Sequence, residues 1–487
     1  MTLEPIIGLE IHVQLKTARK MFCDCANVPD ATPPNTAICP ICLGYPGTLP
    51  MPNKQAIEWS ALTALALGCS IRSRSKFDRK HYFYPDLPKA YQISQYDEPI
   101  GEKGALKIGD HEVRLTRLHL EEDAAKLLHG EDRVQIDFNR AGTPLAEIVT
   151  EPDMRTPAEA KAFLQELREI VRSLGVSDAD MEKGQLRCDV NVSLREIGKK
   201  KLSPKTEIKN VNSFRAVEHA IAYEIERQTR LWEEGSPPAH ETTRGWDDEK
   251  GKSVEQRTKE LAADYRYFPE PDIPPLEFSK DWIDHVAEQI NELPQAKRVR
   301  FINEYALKPE DARIIVADTA LADFTEHVFS ELAEWRSAIG HDDEDVVKEK
   351  LAQLVSGWLL NKFLGILTKR GIALADVRIT PENFAEFLMI VGDRKVNTTN
   401  ALKLLEKMVE TGGDPSAILE DEGLTQDVSG SELDVIVQRI IVANPDVVAS
   451  VQKGKEAALQ FLVGLVMRET KGKANPEAIM ELLKKTV

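Results

Sequence analysis

The chain has 487 residues, 42% of them hydrophobic and 29% charged, the composition of a folded globular protein and not of a disordered or collagen-like one. Its 63 Lys and Arg against 80 Asp and Glu leave a net charge of -17, which excludes non-specific coating of nucleic acid but leaves room for a local basic face that docks one folded RNA. No apolar run reaches the roughly 18 residues of a membrane span, and Met1-Thr2-Leu3-Glu4-Pro5 lacks the basic start of a signal peptide, so a cytoplasmic chain without a membrane is expected.

The first strand predicted runs through Ile7-Gly8-Leu9-Glu10-Ile11-His12-Val13. Its odd positions are apolar as far as Leu15, while Glu10, His12 and Gln14 share the other face. A cysteine-rich window follows: Cys23-Asp24-Cys25, thirteen residues, then Cys39-Pro40-Ile41-Cys42. Thiolates two and three residues apart converge on one tetrahedral zinc, and in a cytoplasmic chain that spacing predicts a zinc knuckle over 23–42 in preference to disulfides; reduced surface thiols are the alternative. With four thiolates the shell is closed, hence structural. Cys69 and Cys188 read as core residues.

Next comes Lys76-Phe77-Asp78-Arg79-Lys80-His81-Tyr82-Phe83-Tyr84, in which charges alternate with aromatics. Lys76, Arg79 and Lys80 are candidate partners for a nucleotide or an RNA end, by charge and stacking; a Tyr/Phe core with a salt-bridged rim is the bland reading. Arg117-Leu118-His119-Leu120-Glu121-Glu122-Asp123 places a carboxylate run at the end of a strand. Thr156-Pro157-Ala158-Glu159 predicts a helix start with a capping box, with Leu164, Leu167, Val171 and Leu174 at helical spacing and Gly175 as its stop.

Two further strands carry polar faces, Asp189, Asn191 and Ser193 in one and Glu207 with Lys209 in the other, and a helix is predicted over 217–232. Beyond Asp281 apolar residues recur every three or four positions and the chain becomes helical, with a loop at the acidic stretch 340–345 and a boundary at Thr411-Gly412-Gly413-Asp414-Pro415. The fold class expected is α+β: a sheet-based domain over 1–292, a helical domain over 293–410 and a small helical tail over 411–487 whose end carries Lys453, Lys455, Lys471 and Lys473.

Short acceptors and His dominate the polar strand faces where a solvated face would carry Lys and Thr. Converging carboxylates repel unless a cation neutralises them, so a hard divalent metal is the expected occupant; magnesium, which completes its shell with phosphate oxygens, would make this a phosphate-handling site. Neither G-x-x-x-x-G-K-[ST] nor G-x-G-x-x-G occurs, so any ATP would lie in a non-standard cradle.

Several long segments carry a resemblance: Ile7 to His12, Lys76 to Gln95, Leu118 to Ala124, Asp137 to Leu145, Arg187 to Asn191, Glu207 to Asn210, Asp264 to Asp272 and, in the tail, Gly454-Lys455 through Pro476. Together they resemble the B subunits of the aspartyl/glutamyl-tRNA amidotransferases. The resemblance implies a cradle domain with a large antiparallel sheet, a helical domain and a tRNA-binding tail. It implies ATP-dependent phosphorylation of the side-chain carboxylate of Glu on tRNA(Gln) or Asp on tRNA(Asn), with ammonia supplied by an amidase, the A subunit, held together with a small C subunit. By motif, the magnesium and phosphoryl-transfer residues would be Glu10, His12, Glu122, Asp189 and Glu207, with Glu121, Lys209 and Lys80 in supporting catalytic roles; structural zinc would sit on Cys23, Cys25, Cys39 and Cys42. Two rival readings stand beside it: a non-catalytic tRNA-binding scaffold, and an autonomous ATP-dependent ligase. The second is disfavoured because neither a Ser-Ser-Lys amidase nor a Cys-His glutaminase pattern is present.

Overall fold

Strand β1 (Leu3–Gln14) lies in the middle of a ten-stranded sheet. The other members, in chain order, are β2 (Ser70–Ile71), β3 (Gly101–Glu102), β4 (Ala105–Ile108), β5 (His111–Glu122), β6 (Pro144–Thr150), β7 (Leu186–Glu196), β8 (Thr206–Val211), β9 (Glu241–Asp247) and β10 (Lys252–Lys259). The spatial order is β10-β9-β8-β7-β1-β6-β5-β3-β2, with β4 also paired to β5. Pairing is antiparallel throughout except between β8 and β9, so the sheet is mixed by a single parallel neighbour. This computed structural model describes residues 2–31, 33–130, 132–259, 265–339, 344–424, 430–452, 454–470, 474 and 476–486.

The alternation in β1 buries Ile7, Leu9, Ile11 and Val13 in one core with Phe163, Leu164 and Leu167 of helix α2 (Pro157–Ser173) and Val217 and Ile221 of helix α3 (Phe214–Glu233). Each such side chain contributes about 1.5–3 kcal/mol. Period-2 burial fixes the register, because a slip of one residue would turn Glu10 and His12 into that core. The capping box at α2 forms as expected: Thr156 Oγ1 accepts from the Glu159 amide, and Glu159 Oε2 accepts from the Thr156 amide. Helix α1 (Lys54–Ala66) falls in a region whose sequence reads as strands and loops; Asn53 caps it and it is buried on most of its surface. A small sheet of Phe268–Pro269, Asp78–His81 and Tyr91–Ser94 lies against the end of β5 in the same unit, joined to Glu121 and Glu122 by hydrogen bonds from Gln92, Ile93 and Ser94.

The chain divides into two units, Met1–Pro294 and Gln295–Val487. All regular structure described in the second is helical, and it holds two apolar cores. One gathers Phe301, Leu359, Phe363, Phe384, Leu404 and Met408; the other gathers Val437, Leu462, Val466, Ile479 and Leu483. The helix Pro415–Asp421, beyond the glycine pair, packs Leu419 into the first core. The run Lys348–Arg370 is long and apolar enough to cross a membrane by composition, yet its Val355, Leu359, Phe363 and Leu367 are buried in that first core. The acidic stretch 340–343 lies outside the described residues, and helix Glu344–Trp358 begins directly after it.

Candidate active site

Strand register assembles the polar face. Glu10 lies opposite Asp189 and His12 opposite Arg187 across the β1–β7 pair; His12 lies opposite Glu147 across β1–β6. Glu147 in turn faces His119 on β5, and Asn191 faces Glu207 on β8. Directly paired residues point to the same side of a sheet, so acceptors from several strands meet there.

His12 Nε2 is 3.4 Å from Glu121 Oε1 and 3.4 Å from Glu147 Oε2. His119 Nε2 is 3.1 Å from Glu147 Oε2. One candidate donor group is Glu10, His12 and Glu147; another is His119, Glu121 and Glu147, and within each the ligand atoms lie within 4.8 Å of one another. Burial pushes the Glu10 carboxyl up, and the neighbouring charge of Glu147 pushes it further. For His12 burial acts against the charged form, but the hydrogen bond and charge of Glu147, with the charge of Glu121, outweigh it and raise the imidazole to about 9. Burial opposes ionisation of Glu147 too, yet the two imidazoles outweigh it and hold that carboxyl well below the usual range. Asn191 Oδ1 is buried without a hydrogen-bond partner. Carboxylates kept out of water, one of them forced toward its protonated form, and an unfilled carbonyl-type acceptor together fit a hard divalent cation, whose preferred ligands are oxygens.

Two lysines border the cluster. Lys209 Nζ bridges Asp189 and Glu207, the latter at 3.2 Å. It leaves β8 at a bulge where the register shifts and Asn210 takes a left-handed φ of 64°, a common way of aiming a side chain out of a ladder. Glu207 also accepts from Thr243 Oγ1 at 2.9 Å. Lys80 is held charged: burial works against it, and the charge of Glu121 and other neighbours overcomes that. Both lysines line an open pocket of about 890 Å³ with Tyr82, Phe83, Tyr84, Thr243 and Tyr265, large enough for a nucleotide-sized ligand.

Not every expected residue joins this group. Glu122 alternates to the face away from Glu121: its carboxylate is 2.6 Å from Lys89 Nζ and accepts from the Ile93 amide at 3.0 Å, and it lines a different pocket with Cys42 and Tyr91. Of the five residues expected by motif to hold magnesium, Glu122 is thus set apart from the group that His12 forms with Glu121 and Glu147. Lys76 and Arg79 are likewise engaged elsewhere. Lys76 pairs with Asp78 and Asp97, and Arg79 makes a two-pronged contact with Glu270 while stacking 4.4 Å over Tyr91. Of the three basic residues expected at a nucleotide, only Lys80 borders the carboxylates. Glu147 escapes a reading of the sequence; a lone Glu inside Leu145-Ala146-Glu147-Ile148-Val149 is the available signal.

The four cysteines converge, with all sulfurs within 4.8 Å of one another. The Cys42 thiol is pulled down to about 5, chiefly by a hydrogen bond from Cys23, whose own thiol that bond and burial push up. Lys20, 1% exposed, points its ammonium at Cys42 Sγ from 3.8 Å, and the Cys39 amide donates to the same sulfur at 3.2 Å. Four thiol groups facing a buried cation and an amide fit a tetrahedral zinc thiolate centre. The loop between the cysteine pairs is clamped by Asn139, whose Oδ1 accepts from the Thr36 and Ala37 amides, and by Asp137, which accepts from Asn35. Of the lysines expected to bind tRNA, Lys455 is exposed at the start of helix Glu456–Glu469; Lys453, Lys471 and Lys473 lie outside the described residues.

A mixed sheet carrying a buried carboxylate–imidazole cluster, two lysines at its rim and a four-cysteine knuckle defines a class: proteins whose donor groups suit a hard cation beside an open pocket with basic side chains. Residues 5–284 match the family model described as GatB/GatE catalytic domain, and residues 344–487 the one described as GatB domain. The chain is 46% identical over 99% of its length, and 99% of theirs, to the B subunit of the aspartyl/glutamyl-tRNA(Asn/Gln) amidotransferase of Dehalococcoides mccartyi (strain CBDB1). The corresponding B subunit of Thermotoga maritima is 44% identical over 100% of this chain and 99% of its own. The chain belongs to this family of amidotransferase B subunits.

Proposed function

We propose that this chain is the part of a tRNA amidotransferase that activates the side-chain carboxylate of Glu on tRNA(Gln), or Asp on tRNA(Asn), by ATP-dependent phosphorylation, so that ammonia can displace the phosphate. The observation that carries this reading is the convergence of His12 with Glu121 and Glu147, 3.4 Å from each, and of Glu10 with His12 and Glu147 within 4.8 Å, beside Lys80 and Lys209. A carboxylate is a poor acyl donor because its oxygen leaves badly, and phosphorylation remedies that. The difficulty is bringing two anions together. Mg2+ held by His12, Glu121 and Glu147, or by Glu10, Asp189 and Glu207, would supply the neutralising charge. Lys80 and Lys209 are aimed to stabilise phosphoryl oxygens as charge shifts among them. Burial of the cluster excludes water from an acyl phosphate that would otherwise hydrolyse.

The rest of the assembly follows from what this chain lacks. It carries no ammonia-producing signature, so ammonia would come from an amidase, the A subunit, held with a small C subunit. Cys23, Cys25, Cys39 and Cys42 would hold structural zinc. The basic residues of the tail, Lys453, Lys455, Lys471 and Lys473, would grip the misacylated tRNA, in the cytoplasm. A scaffold without chemistry is the second reading. It gives no reason to hold His119, Glu121 and Glu147 at 2–3% exposure with a desolvation cost that a plain surface avoids.

A rapid-quench experiment with γ-labelled ATP on the assembled complex tests the proposal. His12→Ala and Glu147→Gln are expected to cut phosphoryl transfer to the aminoacyl-tRNA by about 100-fold or more and to lower Mg2+ affinity by about 10-fold. Glutamine hydrolysis by the partner should survive, and Glu122→Gln should leave Mg2+ affinity within about 3-fold of the parent, since that carboxylate faces Lys89. Near-normal phosphate transfer in the folded His12 variant would favour the scaffold.

A further inference from the structure

Two imidazoles reach Glu147, and only one of them is free to bind a cation. A site offering His12, His119, Glu121 and Glu147 has the donor set of zinc, manganese or iron as much as that of magnesium. Arg117 decides which nitrogens are available. Its Nε–H donates to His119 Nδ1 at 3.3 Å. A guanidinium has only donors and stays protonated, so the Nδ1 it faces must be a bare acceptor, and the ring's proton sits on Nε2. That Nε2–H points at Glu147 Oε2, 3.1 Å away. A protonated ring nitrogen has no lone pair for a metal. For His119 to become a ligand its proton would have to move to Nδ1, directly against the Arg117 N–H.

The geometry points to Arg117 as the selectivity residue of the metal site: acting through His119, it keeps the second imidazole out of the coordination shell and turns it into a donor that orients Glu147. The consequence is a shell with one imidazole, rich in carboxylate oxygen, which suits a hard octahedral cation and disfavours a soft tetrahedral one. His119 is by this argument a positioning residue. The inference rests on the metal-site reading above and adds to it which histidine ligates and why. His12 differs in kind: its side chain is 20% exposed against 4% for His119, its Nε2 lies between two carboxylates, and the arginine paired with it across the strands, Arg187, directs its guanidinium to Asp123 at 2.8 Å, with no hydrogen bond to the His12 ring among those described.

Mn2+ serves as the probe, bound to the full chain with its cysteine site loaded with zinc, because pulsed electron paramagnetic resonance counts coordinated imidazole nitrogens. One imidazole is expected in the parent and in His119→Gln, whose amide N–H still reaches Glu147; two are expected in Arg117→Met, with the ratio of Mn2+ to Mg2+ affinity rising about 10-fold. His119→Leu should weaken Mg2+ binding about 10-fold while His119→Gln stays within about 3-fold. Two imidazoles in the parent, or one in folded Arg117→Met, overturns the assignment. If Arg117→Met does not fold, equal losses in the Gln and Leu variants of His119 overturn it instead. No bound Mn2+ in the parent would defeat the metal-site reading itself, a failure distinct from a wrong histidine count, and the inference with it.

Discussion

Asp123 shows how much of the candidate site depends on residues that touch no ligand. It is buried, and its Oδ2 accepts from Gln14 Nε2 at 3.0 Å and lies 2.8 Å from Arg187, the β7 residue opposite His12. Burial alone would raise its carboxyl; the charges of Arg187 and Arg140 overcome that and hold it below 3.8. Asp123→Asn removes the counter-charge of the Arg187 guanidinium; with that side chain 37% exposed, solvent screens the loss to about 1–2 kcal/mol, below the cost of breaking a fully buried pair. A depressed carboxyl contributes its full stability above the unfolded value of 3.8 and loses it as pH falls through the folded one. Urea unfolding at pH 7 should therefore show the whole deficit, and the gap between parent and variant should narrow at pH values below 3.8. A gap that does not change with pH would assign the loss to packing. Single residues are unevenly legible in the sequence. Glu10 and His12 stand out because polar side chains recur on one face of an apolar strand. Glu147 does not, because its same-face neighbours Leu145 and Val149 make the strand look like plain core. In Glu121-Glu122-Asp123 the alternation sends adjacent carboxylates to opposite faces, and only the register against β6 says which one meets His12.

At the scale of elements, legibility follows from whether local chemistry or long-range packing sets the structure. Helix α2 is readable because its start is a local hydrogen-bond exchange between Thr156 and Glu159. Helix α1 is not, since Ala56, Ile57, Ser60, Ala61, Leu62, Thr63 and Ala64 are all buried and a helix covered on most sides has no stripe to detect. The knuckle combines both cases. Its cysteine spacing is local, but the clamp from Asn139 and Asp137 comes about a hundred positions later, so the Asp137-Phe138-Asn139 segment reads as a motif without revealing that it braces the cysteine loop. Cys39→Ser is expected to lose zinc, counted by metal analysis of the purified chain, and to lower Tm by about 5 °C or more. Phosphoryl transfer at a permissive temperature should stay within a few-fold of the parent, because four thiolates leave no coordination position for a substrate. A folded variant of parental Tm that had lost phosphoryl transfer would make the zinc catalytic.

Across the whole molecule the charge is unevenly spread, and that bears on how tRNA is recruited. The segment after Leu424 contains equal numbers of basic and acidic residues, so the entire net charge of -17 resides in the rest of the chain. A polyanion approaching this protein is repelled at long range by most of its surface, which makes a short basic stretch the natural place for binding; Lys453, Lys455, Lys471 and Lys473 fall within about twenty positions of one another. The two apolar cores of the helical unit show where such a stretch can be removed without collateral damage. A cut at Gly413 would strip Leu419 from the core that holds Phe384 and Leu404, whereas a cut after Leu424 removes the second core as a piece. Truncation after Leu424 is therefore expected to leave the remaining chain folded and able to phosphorylate aminoacyl-tRNA at saturating concentration. Its tRNA affinity should fall about 10-fold or more at moderate salt, and the slope of log affinity against log salt should shrink by about one for each phosphate that the tail no longer neutralises. Filter binding or anisotropy across a salt series measures both quantities together. An unchanged slope would move the tRNA-binding surface out of the tail and onto the sheet unit, where the exposed Phe83 and Tyr84 would be the next residues to test.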